Sequence, residues 1–403
     1  MVANSNKKRP KKPYKEYPLF AHQSGQWAKT IKGKQHYFGV WDDDKGALAE
    51  YLRVKDYLHA GLNPPAPEGS VESLSVQQLA NLFLDQKETA VEQGDITPQH
   101  YQDYKNTFKE LLETWRKGKL VKDLTPRDFT TVRNKWKAKY SGTSLDRKVI
   151  GTRSLFKWGW ESAYLENVVR FGPDFKGSSA RDKRKAKYEQ GRRDIEAKDL
   201  RKILKASKEG LKNSKNTKLN PNPKLHAMIL LGINSGFGNT DVAELHKGYI
   251  DLKKGFIDYP RPKTYVERQS KLWPETVEAL KEVINDPAPI AAPEYEPLVF
   301  RTRLGGPWVK RKKSSKSGDY YNDDSVAKEF RKIVKGLKLT RDNISFYDLR
   351  RTFETVAGNC RDQVAINYIM GHADESMAAI YRQGIDPERL EDVATHVHQW
   401  LFV

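Results

Sequence analysis

Four side chains toward the C-terminal end have the types and order needed for chemistry on a phosphodiester: Lys263, Arg350, His372 and Tyr381. A tyrosine hydroxyl can attack phosphorus when positive donors hold the charge that develops on the phosphoryl oxygens. Arg350, within Tyr347-Asp348-Leu349-Arg350-Arg351-Thr352, offers a planar fork of N–H donors suited to two such oxygens. His372 closes Ile369-Met370-Gly371-His372, with Tyr381 following in the same stretch, and could donate a hydrogen bond or pass a proton. Lys263, in Pro260-Arg261-Pro262-Lys263-Thr264, could protonate a departing 5′ oxygen. Singly, each has an ordinary reading: a turn lysine is solvated, a helix arginine makes a salt bridge, and a tyrosine beside Ile380 is core. The combination is what points to transesterification, and it requires no cofactor.

These groups need elements to carry them. From about Asp194 onward, the pattern predicts an apolar helix over Pro223–Ser235 and a strand at Phe256–Tyr259. A second short strand is expected at Val299-Phe300, and helices at Ser325–Leu337, Tyr347–Gly358 and Arg361–Met370. Upstream, Ser75 to about Gly172 reads as a helical bundle, with caps at Thr97-Pro98 and Thr125-Pro126 and aromatics assigned mainly to its core. Before it, Trp27–Ile31 and His36–Gly39 read as strands turned at Lys32-Gly33-Lys34, with a helix over Ala47–His59. That small ribbon could enter a DNA groove, or its aromatics could be core. Gly61–Gly69, with Pro64, Pro65 and Pro67, reads as a linker. Residues 173–193 lack an apolar stripe; they are either a solvated linker or, through Arg181, Lys183, Arg184 and Lys185, a segment laid along phosphates.

The expected fold class is therefore multidomain and mainly α with small β-sheets. It comprises a basic arm and ribbon–helix module (1–65), a helical domain (72–172), a basic linker (173–193) and a mixed α+β domain (194–403). Composition agrees with a polyanionic partner: among 403 residues, 72 Lys and Arg against 52 Asp and Glu give a net charge of +20. The single Cys360 excludes an intramolecular disulfide framework and fits a reducing compartment, with the cytoplasm the simplest location. No apolar run approaches membrane-spanning length. Zinc-finger spacings, a Walker loop and a dinucleotide fingerprint are all missing, so no nucleotide cofactor or metal is expected.

At these residues the sequence resembles the tyrosine recombinase, or phage-type integrase, family. The resemblance implies an arm-binding module, a core-binding domain and a catalytic domain that clamp double-stranded DNA carrying a specific site. It further implies a homotetramer around two duplexes, room for an accessory DNA-bending protein, and a mobile genetic element as the setting. Strands are cut one at a time through a 3′-phosphotyrosine, without ATP or metal. Carried over, Tyr381 is the nucleophile, Arg350 the second catalytic arginine, His372 the following histidine and Lys263 the lysine of the β-hairpin.

Two positions depart from the resembled pattern. In Asn234-Ser235-Gly236-Phe237-Gly238-Asn239-Thr240-Asp241, Gly238 stands where the first arginine is expected, while Asp241 keeps the acidic place. Tyr347 replaces a histidine, a mild change because its hydroxyl still donates. Losing one transition-state donor costs about 3–4 kcal/mol, or roughly two to three orders of magnitude in rate. Arg351, Arg301 or Arg303 could swing in, a partner subunit could lend a charge, the enzyme could be slow, or the chain could bind DNA without cutting it. Rescued or residual catalysis is the reading adopted, with a DNA topoisomerase as the competing enzyme class. The tail beyond Pro387, with Leu390, Val393, Val397, Trp400, Leu401 and Phe402, either covers its own domain or docks on a neighbouring protomer; docking is the expectation.

Overall fold

The computed structural model describes residues 9–60, 74–116, 118–212, 218–285, 287, 289–339, 341, 343–374 and 376–403. The start of the basic arm, with Lys7 and Lys8, and the Gly61–Gly69 linker lie outside the described residues. The chain divides into two compact units, Met1–Gly191 and Arg192–Val403. The sequence reading separated the ribbon module from the bundle, whereas both fall within the first unit.

The first unit opens with an antiparallel sheet, β1 (Phe20–His22), β2 (Gln26–Ile31) and β3 (Lys34–Val40), one strand more than the pattern predicts. Helix α1 (Asp44–Ala60) covers it, burying Tyr17, Trp27, Phe38 and Tyr51 between them. Trp27 and Phe38 are therefore core residues and not groove readers; only the outer strand positions are left for contact. Helices α2 (Val76–Gln93), α3 (Pro98–Trp115), α4 (Pro126–Lys139) and α5 (Gly142–Glu161) form the bundle. Ser75 and Gln78 close a capping box on α2, and Thr97 accepts from the His100 N–H at 3.2 Å to start α3. Trp115, Phe129, Phe156, Phe171 and Phe175 meet mostly edge to face at the centre. Residues 173–193 are not simply a linker: α6 (Ala180–Gln190) is helical, capped by Ser179, and buries none of its side chains. An all-polar helix of this kind has no apolar stripe to reveal it in sequence.

In the second unit, α7 (Ala197–Glu209) is followed by the short β4 (Leu211–Lys212) and β5 (Lys218–Leu219) and then by α8 (Pro223–Asn234). Helix α8 is apolar nearly all round and sits at the centre. Helix α9 (Asn239–Ala243) turns the chain into the antiparallel sheet β6 (Ile250–Asp251), β7 (Phe256–Asp258) and β8 (Gln269–Lys271), then into α10 (Pro274–Ile284). The expected strand at Val299-Phe300 is instead buried chain beside a single bridge between His246 and Leu298, linked by the Val299 N–H to the Leu245 carbonyl at 2.9 Å. A hairpin that apolar alternation cannot signal follows, β9 (Val309–Lys313) and β10 (Tyr320–Asp324). Helices α11 (Ser325–Leu337), α12 (Tyr347–Ala357), α13 (Gln363–Met370), α14 (Met377–Tyr381) and α15 (Pro387–Phe402) complete the unit.

Helix α12 is drawn tightly onto α8. A methyl group on Gly232 would fall 2.8 Å from Leu349 Cδ1, so the bare backbone there is what allows the approach. Asn234, fully buried, ties the end of α8 to the sheet: it donates to the Lys271 carbonyl and accepts from the Trp273 N–H and the Thr276 hydroxyl. The tail corrects the docking expectation. Leu390, Val393, Ala394, Val397 and Leu401 of α15 are buried in the core of their own unit. The Trp273 indole donates to the Ala394 carbonyl at 2.8 Å, and Arg201 to the Leu401 carbonyl at 2.7 Å. The apolar stripe that suggested a partner is thus already covered in cis.

Candidate active site

The segment between α8 and α9, the start of α12, the end of α13 and the β7–β8 turn converge on one place. Arg350 is its fixed point. It is 2% exposed, and it donates from Nη1 to the Gly236 carbonyl at 2.6 Å and from Nη2 to the Met370 carbonyl at 2.7 Å. Burial, followed by the neighbouring Arg261 charge, pushes its pKa below the ordinary guanidinium value. Both anchoring bonds go to backbone, and the Asp241 and Glu354 carboxylates act on the guanidinium through their charge alone.

His372 follows the α13 terminus and is half-buried. Its Nδ1 lies 3.4 Å from Asn367 Oδ1, a contact that favours the proton on Nδ1 and leaves Nε2 as an acceptor. Burial first, and then the Arg350 charge, lower its pKa from 6.5, so the ring is neutral at pH 7.

Gly238 precedes α9, and its N–H donates to Asp241 Oδ2 at 2.7 Å. A Cβ at this position would be 3.3 Å from that oxygen and 3.7 Å from the Tyr347 ring. Tyr347, 44% exposed, thus borders the place where the arginine is missing. The three arginines named as replacements are placed by other contacts. Arg351 donates to Asp348 Oδ1 at 2.6 Å and lies over the Tyr347 ring, 5.2 Å from its centroid. The buried Arg301 donates to the carbonyls of Glu296 and Leu298, and its own carbonyl accepts from Lys224. Arg303 lines a surface cleft with Asn222 and Lys224. Both therefore sit by the first turn of α8, whereas Gly238 follows its last; the helix between is about 18 Å long at 1.5 Å per residue.

Lys263 is exposed at the β7–β8 turn. Tyr381 ends α14, a helix with no buried residue, and is itself 76% exposed. Arg350, His372 and Tyr347 are thus gathered, while Tyr381 projects into solvent. Of the basic residues assigned to DNA, Arg181, Lys183, Arg184 and Lys185 all lie on α6. Lys183 is paired with Asp146, and Lys185 with Glu189 at 3.8 Å.

Two arginines that the sequence reading passed over belong to this place. Arg268 is 1% exposed: its Nε donates to the Tyr259 carbonyl at 2.7 Å, and its guanidinium lies 3.9 Å from the Phe237 ring centroid and 3.5 Å from Asp241 Oδ1. Burial lowers its pKa to about 10, against the pull of Asp241, so it stays cationic. Arg261 packs along Gly371. The one available signal was its position between Pro260 and Pro262, which fixes the turn from which it projects.

Residues 193–386 match the phage integrase family. Among solved structures, a lambda integrase dimer bound to a COC′ core site superposes with a TM-score of 0.51 at 15% identity, covering 94% of this chain and 99% of that one. A lambda integrase tetramer bound to a Holliday junction gives 0.51 at 16%, with 93% and 99% covered. The Tn1549 transposon integrase in complex with circular intermediate DNA gives 0.53 at 16%, with 79% and 98% covered. No curated protein matches the chain. Identities this low establish the fold: a multidomain, mainly helical architecture with small antiparallel sheets.

Proposed function

With residues 193–386 belonging to the phage integrase family, we propose that this protein is a site-specific DNA recombinase that cuts and rejoins strands through Tyr381. The observation that carries this reading is the convergence of Arg350, His372 and the β7–β8 turn around Gly236–Gly238. The Tyr381 oxygen attacks phosphorus, forming a phosphotyrosyl bond at the 3′ end and breaking the bond to the 5′ oxygen. Neutral His372 accepts the phenolic proton at Nε2, Lys263 delivers a proton to the departing 5′ oxygen, and Arg350 holds the non-bridging oxygens. The exchanged 5′ hydroxyl reverses the step, so bond energy is conserved and no cofactor is consumed. Tyr381 reaches the phosphate by movement of the exposed α14 segment.

Two duplexes and four protomers are the assembly this chemistry needs for exchange, and a tetramer is what the lambda relative forms on its junction. Basic residues of α6 and Arg351 contact phosphates, Lys183 and Arg351 after giving up their carboxylate partners. DNA binding without cleavage is the rival reading, and Gly238 is the observation in its favour. Incubating the full chain with a pool of random-sequence nicked duplexes, then denaturing and recovering protein-linked DNA, separates the two. The recombinase reading expects a covalent adduct that Tyr381→Phe abolishes; an intact chain that retains duplexes but never yields an adduct would leave binding alone.

A further inference from the structure

A transferring phosphoryl group is held best from two sides, and Gly238 offers no side chain to one of them. Three consecutive residues at the end of α13 gather the groups that remain. Met370 accepts from Arg350 at 2.7 Å, Gly371 carries the Arg261 side chain along its surface, and His372 comes next. A methyl on Gly371 would stand 2.9 Å from Arg261 Cβ and 3.2 Å from its Cδ, at a backbone φ of +61°, so glycine is what makes room for Arg261. The root of Arg261 is fixed on both sides. Its N–H donates to the Val266 carbonyl at 2.9 Å, and its carbonyl accepts from Thr264 and Tyr265 at 3.1 and 2.8 Å.

Arg261 Nε is buried with no hydrogen-bond partner among the described residues. An unmet donor on a guanidinium is unfavourable and is relieved by an arriving anion. Arg268, whose Cδ would also stand 3.3 Å from a methyl on Gly371, pairs with Asp241, so that carboxylate is already engaged by another cation. After burial, the Arg261 charge adds to the lowering of both the Arg350 and the His372 pKa, as expected of a cation sharing their pocket. Arg268 already has Asp241 as its counter-ion, whereas Arg261 has no ion pair among the described residues, so Arg261 is the one of the pair left to meet an incoming phosphate.

We propose that Arg261 is a catalytic residue that takes the place of the arginine missing at position 238, holding the scissile phosphate together with Arg350. The inference rests on the recombinase reading above. One hairpin then supplies both a phosphate clamp, Arg261, and a proton donor, Lys263.

The test uses a duplex recovered by covalent capture with the unaltered chain, made with either an ordinary phosphate or a neutral methylphosphonate at the cleaved position. Single-turnover cleavage of the phosphate duplex should fall roughly 10²- to 10³-fold in Arg261→Ala, with Arg261→Lys in between. On the methylphosphonate, where the charge to be stabilised is gone, Arg261→Ala should cleave nearly as fast as the unaltered chain. Adding Gly238→Arg to Arg261→Ala should restore much of the lost rate on phosphate. An unchanged rate in Arg261→Ala, or an equal loss on both duplexes accompanied by a lowered melting temperature, overturns the proposal. Failure of the unaltered chain to form any adduct overturns the recombinase reading instead, and this inference with it.

Discussion

Asp348 is the test of how helix α12 is held. Its carboxylate is fully buried, and Oδ2 accepts from the Ser345 N–H at 2.9 Å and the Ser345 hydroxyl at 3.0 Å. Oδ1 accepts from Arg351 at 2.6 Å, while Arg193 approaches to 3.3 Å and Arg341 to 3.6 Å. Asp348→Asn keeps the shape, removes the charge and turns one acceptor into a donor facing cations. Breaking a fully buried pair costs about 3–5 kcal/mol. The three arginines here are 26–40% exposed, so water takes up part of the freed charge, and about 2–3 kcal/mol is the expected loss. For a unit of this size that corresponds to a melting point lower by roughly 4–12 °C. Scanning calorimetry of the full chain reads it, and a double-mutant cycle with Arg351→Ala separates that pair from the other two. A shift below about 2 °C would refute the reasoning, because it would mean the arginines are held equally well without the carboxylate.

The remaining predictions concern the tail and a buried histidine. Ending the chain after Asp386 strips five buried side chains from the core of the second unit, and at about 1.5–3 kcal/mol for each large aliphatic the loss exceeds what a marginally stable unit can bear. The truncated chain should lose the cooperative melt of this unit; retention of that melt with failure only of assembly would restore the docking reading. His226, whose Nδ1 lies 2.9 Å from the Ser207 hydroxyl, is pushed by burial, and then by Lys208, to about 4. Because the folded value lies below the unfolded 6.5, the unfolded chain binds the extra proton, so stability is full above pH 6.5 and declines as pH falls toward 4. Denaturant titrations should lose about 2 kcal/mol between pH 7 and pH 5 through this group, a loss that His226→Gln removes; a pH dependence identical in the two proteins would contradict it.

What the sequence disclosed was what short spacing controls. The helix bearing Arg350 and the helix leading to His372 follow from apolar periodicity and terminal residues, and Thr97-Pro98 and Thr125-Pro126 mark helix starts because they act within one turn. Hidden were the relations across long separations. Nothing in Pro260–Thr264 announces that Arg261 will lie against Gly371, since that contact is made by folding α13 back onto the sheet. The stripe of α15 announced burial but not its destination. Strand β9, Val309-Lys310-Arg311-Lys312-Lys313, escaped notice because its side chains are polar on both faces and its pairing is backbone-driven, helped by an ion pair between Lys312 and Asp323 at 2.7 Å. For Arg301 and Arg303 the charge is legible in the sequence, but the end of α8 that they reach is set by long-range packing.

The turn between β7 and β8 has a genetic consequence. If clamp and proton donor share one short loop, they cannot drift apart independently. Lengthening or shortening that loop would disable both at once, while Gly238 becomes free to vary among small residues at little cost. Suppressors of a crippled Arg261 should then arise at two kinds of place, within the loop or at position 238 itself, and rarely in α12 or α13.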